Sequence, residues 1–182
     1  MLAAQQLMPI ADQSIVRGEP SEVLNLSNYF DDSGITGTVV RFDTNTPVAQ
    51  SAIHVELFDQ PGAGRIATTP RTVENFLSYA NTGLYDGTIA HFSNEGAAVR
   101  AGRYLNPGVR SDVNSSDPTI IPAGQAIPDE SGNANIRGTI STFFDDDQNP
   151  GDATSQWFFN TGDNPGFDSE GYAVFGRVSA VE

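Results

Sequence analysis

Hydrophobic residues in the middle and C-terminal parts of the chain recur mainly in the short runs and alternations that are typical of β-strands. Residues 39–42 and 53–58 form two such runs, and the turn-forming residues 44–47 lie between them. Two strand-like runs joined by a turn predict an antiparallel hairpin. Further strand-like runs are residues 138–144, 155–159 and 172–178. The pattern therefore predicts a mainly β domain.

One segment has instead the 3.6-residue period of an amphipathic helix. Thr69 is a suitable N-cap, Pro70 fits the first helical position, and Gly83 is a natural stop. The residues predicted to share the apolar face of this helix are Val73, Phe76, Leu77 and Ala80. We expect the helix to end at residues 81–83.

The stretch from residue 87 to residue 103, GTIAHFSNEGAAVRAGR, predicts a second hairpin. It contains a strand over residues 88–92, a turn at residues 93–96 and a return strand over residues 97–100. A long segment rich in Pro, Ser, Asn and Asp follows over residues 104–129. In a compact domain, so long an irregular segment is usually functional or a packed surface loop.

Composition and charge narrow the classes of partner. The length of 182 residues fits one main domain. There are 23 acidic and 9 basic residues, all the basic ones are arginine, and the net charge is −14, which repels nucleic acid and anionic membranes. This charge argues against nucleic-acid binding. No run approaches about 18 apolar residues, so we do not expect membrane insertion either. The absence of cysteine excludes disulfides, thiolate metal sites and a thiol nucleophile.

Residues 1–33 differ from residues 34–182 in their pattern of apolar and turn-forming residues, and we treat them as an N-terminal extension or linker arm. The phrase LNLSNYFDD resembles the opening of Ig-like or cadherin-like repeats of modular surface proteins. The other interpretation is a strand-like arm that lies on the main domain. The acidic, cysteine-free composition and this modular texture predict a secreted, periplasmic or cell-surface protein.

Several motifs between residues 37 and 178 resemble, in order and in spacing, the cyclophilin family of peptidyl-prolyl isomerases. They are HVELF, TPRTVENFLSYANTGLYDGT, the turn at residues 127–130, RGTIS, SQWFF and YAVFGRV. The resemblance implies a closed eight-stranded antiparallel barrel with two capping helices and a proline-binding groove on its outside. It also implies activity on X-Pro bonds of peptides or unfolded proteins without a cofactor.

The residues that do this chemistry in the family are altered here. His91 stands where the family has its histidine, but Phe92 occupies the position of the catalytic arginine, and Arg100 that of a glutamine on the neighbouring strand. We therefore take Arg100 and His91 as the catalytic candidates, with the guanidinium of Arg100 as the donor that has moved by one strand. The alternative is that both residues have structural roles: Arg100 would pair with a carboxylate, and His91 would bond to backbone. A structural His91 is consistent with the chemistry, because the reaction needs no general base.

The resemblance also implies that Phe158, Gln156 and Tyr172 line the groove, since each matches a family position. To these we add Phe92 and Phe143 as aromatics that would rebuild the pocket, and Phe167, which a shift of one residue would bring to the family's position at Gly166. Because Phe92 replaces the family's catalytic arginine, we expect weak or altered isomerase activity. The family's bulky pocket residues fall on Ala97, Ala98 and Gly166, so we also expect weak cyclosporin binding. The alternative is a catalytically silent module that grips proline-containing peptides.

An acidic loop at residues 145–152 invites a calcium hypothesis against the simpler one of a solvated charged loop. It lacks the spacing of an EF-hand, because Pro150 stands at the sixth position and Gln156 at the twelfth. We assign no metal site on this basis.

Overall fold

The computed structural model describes the protein over residues 34–45, 52–106, 119–144 and 152–179, and describes the backbone of two short strands near the N-terminus. The helices are α1 (Pro70–Asn81) and α2 (Pro165–Glu170). The strands are β1 (Gln5–Gln6), β2 (Phe30–Asp31), β3 (Val39–Asp43), β4 (Ala52–Leu57), β5 (Phe92–Asn94), β6 (Ala98–Ala101), β7 (Tyr104–Leu105), β8 (Thr119–Ile120), β9 (Thr139–Phe144), β10 (Ala153–Asn160) and β11 (Val174–Ser179).

Most of the strands belong to one antiparallel sheet. Its seven strands follow the order β3-β4-β11-β9-β10-β6-β5. The predicted hairpin of β3 and β4 is confirmed, with a register that runs from Val39 opposite Glu56 to Asp43 opposite Ala52. Strands β1 and β2 pair with each other. Most of residues 1–33 lie outside the described residues, so both interpretations of the N-terminal arm stay predictions.

The described strands form a curved but open sheet. Phe42 on the edge strand β3 reaches across the interior to β10, where its ring centroid lies 5.2 Å from that of Trp157 and 5.5 Å from that of Phe159. These contacts bring the two halves of the sheet face to face as a half-barrel. The predicted closure into eight strands is not confirmed, because no backbone ladder between described residues joins β3 to β5 at the other edge.

Helix α1 has the predicted bounds but a different N-terminal cap. The side chain of Thr69 makes no capping hydrogen bond. The carboxylate of Glu130 instead accepts hydrogen bonds from the backbone N–H of Arg71 at 3.3 Å and of Thr72 at 2.9 Å. A negative charge at this position satisfies free N–H groups and also interacts favourably with the helix dipole. The turn at residues 127–130 therefore anchors the helix.

The buried face of α1 is rotated from the predicted one. Val73 and Phe76 are buried as expected, but Ala80 is exposed and Tyr79 is buried in its place. The ring of Tyr79 packs with Leu105 in a small core cluster, and its hydroxyl accepts a hydrogen bond from the backbone of a loop residue at 2.5 Å. A tyrosine ring buries far more area than a methyl group, so its burial sets the orientation of the helix.

A buried ionic cluster holds β4 to β11 and to the segments beside them. The carboxylate of Glu56, which is 0% exposed, accepts hydrogen bonds from the backbone N–H of Thr36 at 2.9 Å and of Gly37 at 3.1 Å. Its other partners are Arg177, at 2.9 Å, and Arg65. Burial alone would raise the pKa of Glu56, but these hydrogen bonds outweigh it and lower the pKa below its ordinary value.

Candidate active site

The central hairpin is shorter than its sequence predicts. Strand β5 begins only at Phe92, and the predicted strand residues before it form no regular ladder. They are held by single backbone bonds, in which the N–H of Ile89 donates to Tyr104 at 3.0 Å and that of His91 donates to Arg100 at 3.1 Å. The return strand β6 runs from Ala98 to Ala101.

The register of three ladders aligns a row of side chains across the sheet. Phe92 on β5 pairs with Arg100 on β6, and Arg100 pairs with Phe158 on β10. Phe158 pairs in turn with Ser141 on β9. Directly opposed residues point to the same face of a sheet, so Arg100 and Phe158 lie side by side on the face away from Trp157. Phe143, two residues beyond Ser141, belongs to the same face.

The side chain of Arg100 crosses β10 and ends on an aromatic ring. Its Cζ atom lies 3.9 Å from the ring centroid of Phe143 and 5.1 Å from that of Phe92. The described residues offer Arg100 no carboxylate within ion-pair distance, and its buried Nε atom has no hydrogen-bond partner. Among the described residues, the guanidinium is therefore held by cation–π contacts rather than by an ion pair.

The predicted pocket aromatics come together, but as a packed cluster. Phe158 is only 2% exposed. Its ring meets those of Phe143 at 6.3 Å, Phe167 at 5.5 Å and Tyr172 at 5.5 Å, all edge to face. One ring that was not predicted belongs to the cluster as well: Phe144 stacks on Tyr172 at 4.5 Å. The surface expected to contact a proline ring is thus covered by the protein's own side chains.

Gln156 is buried on strand β10. It lies two residues before Phe158 on β10 and is 5% exposed. The pairing between β9 and β10 is irregular from Ala153 to Trp157, so simple alternation does not define the direction of this side chain. The predicted role of Gln156 as a polar contact for substrate stays a prediction.

His91 lies beside the site, close to an aromatic ring and to the positive charge of Arg100. Its ring packs edge to face on Tyr104 at 4.8 Å, and among the described residues neither buried ring nitrogen has a partner in full hydrogen-bond geometry. Burial lowers the pKa of His91 below its ordinary value, and the positive charge of Arg100 lowers it further. The imidazole is therefore uncharged at neutral pH, and its packing on Tyr104 suits a structural role as well as a catalytic one.

This setting predicts a pH-dependent part of the stability. Since the pKa of His91 in the folded protein lies below the value of 6.5 in an unfolded chain, the unfolded state takes up a proton first as the pH falls. The stability from neutral His91 is full above pH 6.5 and declines below it. We expect His91→Gln to lack this decline, measured as the difference between wild-type and variant free energies of unfolding in urea from pH 7.5 to 5. Parallel pH profiles would contradict the assignment.

A buried amide that the sequence analysis missed positions Phe167. Asn135, 1% exposed, donates from its side chain to Asp168 on α2 at 2.9 Å and to the carbonyl of Tyr172 at 3.1 Å. Its own amide oxygen accepts a hydrogen bond from Ser141 at 2.7 Å. No periodic pattern marks such a residue in a loop. The network fixes α2, and with it the ring of Phe167 against Phe158.

We expect Asn135→Ala to lower the free energy of unfolding by about 3 kcal/mol, because it leaves several buried polar groups without partners. Urea unfolding measures this. The control is Asn94→Ala on the exposed strand β5, for which we expect a change within about 0.5 kcal/mol. Equal effects of the two substitutions would show that the Asn135 network contributes nothing beyond surface packing.

No group of three or more His, Asp or Glu side chains in the described residues could hold a metal ion. Most of the acidic loop proposed for calcium, residues 145–151, lies outside them. No helix in the described part of the chain is both long and apolar enough to cross a membrane.

Comparisons with known proteins agree with this fold. Residues 39–182 match the family model of the cyclophilin type peptidyl-prolyl cis-trans isomerases. The chain is 35% identical over 138 residues to peptidyl-prolyl cis-trans isomerase A of Dickeya dadantii, which covers 71% of this chain and 67% of the relative. It is 34% identical over 130 residues to the isomerase cyp18 of Streptomyces antibioticus, covering 64% of this chain and 72% of the relative. The chain therefore belongs to the cyclophilin-type peptidyl-prolyl isomerase family.

Solved structures show the same fold at lower identity. A cyclophilin type peptidyl-prolyl cis-trans isomerase from Cryptosporidium parvum superposes with a TM-score of 0.55 at 23% identity, over 77% of this chain and 76% of that one. Its structure in the presence of the dipeptide Ala-Pro gives a TM-score of 0.54 at 23% identity, over 77% of each chain.

Proposed function

We propose that the protein is a peptidyl-prolyl isomerase of weak or altered activity, in which Arg100 supplies the hydrogen-bond donor. The observation that carries this proposal is the position of the guanidinium. It lies over β10 beside Phe158, and no carboxylate of the described residues pairs with it. An arginine with a structural role alone would be expected to meet one of the many carboxylates of so acidic a chain.

The reaction needs little more than such a donor and an apolar surface. Rotation about an X-Pro bond crosses a barrier of roughly 20 kcal/mol, because it breaks the amide resonance. As the bond twists, the proline nitrogen becomes pyramidal and basic. A guanidinium N–H of Arg100 would donate to that nitrogen, and this interaction exists only in the twisted state, so it lowers the barrier rather than tightening ground-state binding.

The substrates that we propose are proline-containing segments of peptides or unfolded proteins. A related structure was solved in the presence of Ala-Pro, which supports this class of ligand. Phe92 is 47% exposed beside Arg100 and offers a wall for the residue before proline. The small side chains of Ala97 and Ala98 provide little further contact, which supports weak binding of peptides and of cyclosporin.

The second candidate function is a catalytically silent module that binds proline-containing segments. The identity of residue 92 favours it, because Phe92 stands where the family has its catalytic arginine, while the aromatic cluster around Phe158 is kept. An exchange measurement separates the two functions: NMR of an Ala-Pro peptide reports the cis–trans rate with and without protein. We expect the wild-type protein to accelerate exchange measurably. A rate equal to that of the free peptide would exclude the isomerase and leave the binding module.

A further inference from the structure

The covering of Phe158 has a specific construction. Strand β10 lies between β6, which carries Arg100, and β9, which carries Phe143. Adjacent strands are about 4.8 Å apart, so the two side chains bridge roughly 10 Å between their backbones. They meet over β10, where Cζ of Arg100 lies 3.9 Å from the ring centroid of Phe143. The pair forms a bar across the face on which Phe158 lies.

Phe143 is the outer member of the covering cluster. Its side chain is half-buried, whereas Phe158 and Tyr172 are buried. It touches Phe158 edge to face and stacks on Tyr172 at 5.5 Å with an interplanar angle of 15°. A half-buried ring at the end of a strand is easier to displace than one enclosed in the core. Phe143 is therefore the ring through which Phe158 can be uncovered.

We propose that Arg100 and Phe143 form a latch that closes the proline pocket, and that substrate must displace the ring of Phe143 before it reaches Phe158. This inference rests on the proposed function, since it assumes that proline packs on Phe158. It makes Phe143 a residue that determines access and specificity. It also couples the two requirements of catalysis, because the displacement that uncovers Phe158 also releases the guanidinium from the ring.

When substrate opens the latch, Phe158 and Arg100 each exchange a contact with Phe143 for a contact with the substrate. The proline ring takes the place of the Phe143 ring on Phe158, so one apolar contact replaces another. The guanidinium leaves an aromatic face and gains a polar amide, to which its hydrogen bond is charge-assisted. The closed state lowers the apparent affinity by the fraction of molecules that are open. A latch that is mostly closed thus gives a weak isomerase without loss of the catalytic group.

The test replaces Phe143, the displaceable ring of the latch, and measures peptide binding separately from catalysis. Phe143→Ala removes the ring, and Phe143→Leu shortens it with less risk to folding. The matched control is Phe159→Leu, which shortens a ring that is half-buried like Phe143 but lies on the opposite face of β10, against Phe42 and Trp157. NMR titration with the tetrapeptide Ala-Ala-Pro-Phe gives the dissociation constant, exchange NMR gives kcat/KM on the same peptide, and thermal unfolding checks that each variant is folded.

We expect Phe143→Ala to bind the tetrapeptide about 10-fold more tightly than wild type, the scale of one apolar contact in a pocket. Phe143→Leu should change in the same direction by less, and Phe159→Leu should bind like wild type. If neither Phe143 variant that folds binds more tightly than wild type and Phe159→Leu, the latch is overturned, and wild-type catalysis still stands as measured. If the Phe143 variants bind more tightly but do not accelerate exchange, the latch is supported and the isomerase proposal fails.

Discussion

Glu56→Gln should lower the free energy of unfolding by about 3 to 5 kcal/mol, because it removes the carboxylate that two arginines share in a buried cluster. The side chain of Arg65 is 2% exposed, so its charge would stay buried without compensation. The amide of the introduced glutamine would also present N–H donors to guanidinium donors. Urea unfolding at pH 7 measures the loss.

The control for Glu56 is a solvent-exposed ion pair between an arginine and a carboxylate in the same protein. Arg41 and Asp43 pair at 2.6 Å with side chains that are 62% and 67% exposed. Asp43→Asn should change stability by less than about 1 kcal/mol. The wild-type contribution of Glu56 is present above pH 4.5 and is lost as the pH falls through its lowered pKa. A Glu56→Gln variant as stable as Asp43→Asn would contradict the described cluster.

Arg100→Ala should lower kcat/KM on an Ala-Pro peptide by about 100-fold, the scale of removing one hydrogen-bond donor from a transition state. Arg100 lies on the half-buried face of β6, and its known contacts are with rings rather than carboxylates, so the substitution should leave the fold intact. Exchange NMR measures the rate and thermal unfolding checks the fold.

Arg100→Lys is the informative control for this prediction. It keeps the positive charge but loses the planar guanidinium that stacks on Phe143 and donates several hydrogen bonds in fixed directions. We expect intermediate activity from it. Retention of full activity in Arg100→Ala would show that another group stabilises the twisted amide, and the migrated donor would be wrong even though the protein is an isomerase.

Local sequence patterns predicted the helices and strands well where residues close in sequence determine them. The hairpin of β3 and β4 follows from two apolar runs around a turn, and α1 from the spacing of Val73 and Phe76. The motifs that resemble the cyclophilin family put Phe158 and Arg100 in one predicted groove, and the register pairs the two residues on neighbouring strands. What periodicity could not give is the rotation of α1, since that depends on where Tyr79 finds a partner.

The misses have a common physical cause, which is contact between distant parts of the chain. Glu56 sits in the run HVELF and would be expected to face solvent, but one of its arginine partners is 121 residues away. The same holds for the buried amide of Asn135, which meets Asp168 33 residues later. The packing of Phe143 over Phe158 depends on how far the side chains of neighbouring strands reach over β10, and no sequence motif indicates that.

The central claim is that the catalytic guanidinium has moved from β5 to β6, and returning it to β5 tests this most directly. Phe92 is exposed and pairs with Arg100 across the hairpin, so Phe92→Arg combined with Arg100→Gln shifts the guanidinium by one strand on the same face. We predict that exchange NMR on an Ala-Pro peptide will show activity at or above the wild-type rate for this double variant and loss of activity for Arg100→Gln alone. A folded double variant as inactive as Arg100→Gln, or an Arg100→Gln variant as active as wild type, would contradict the claim.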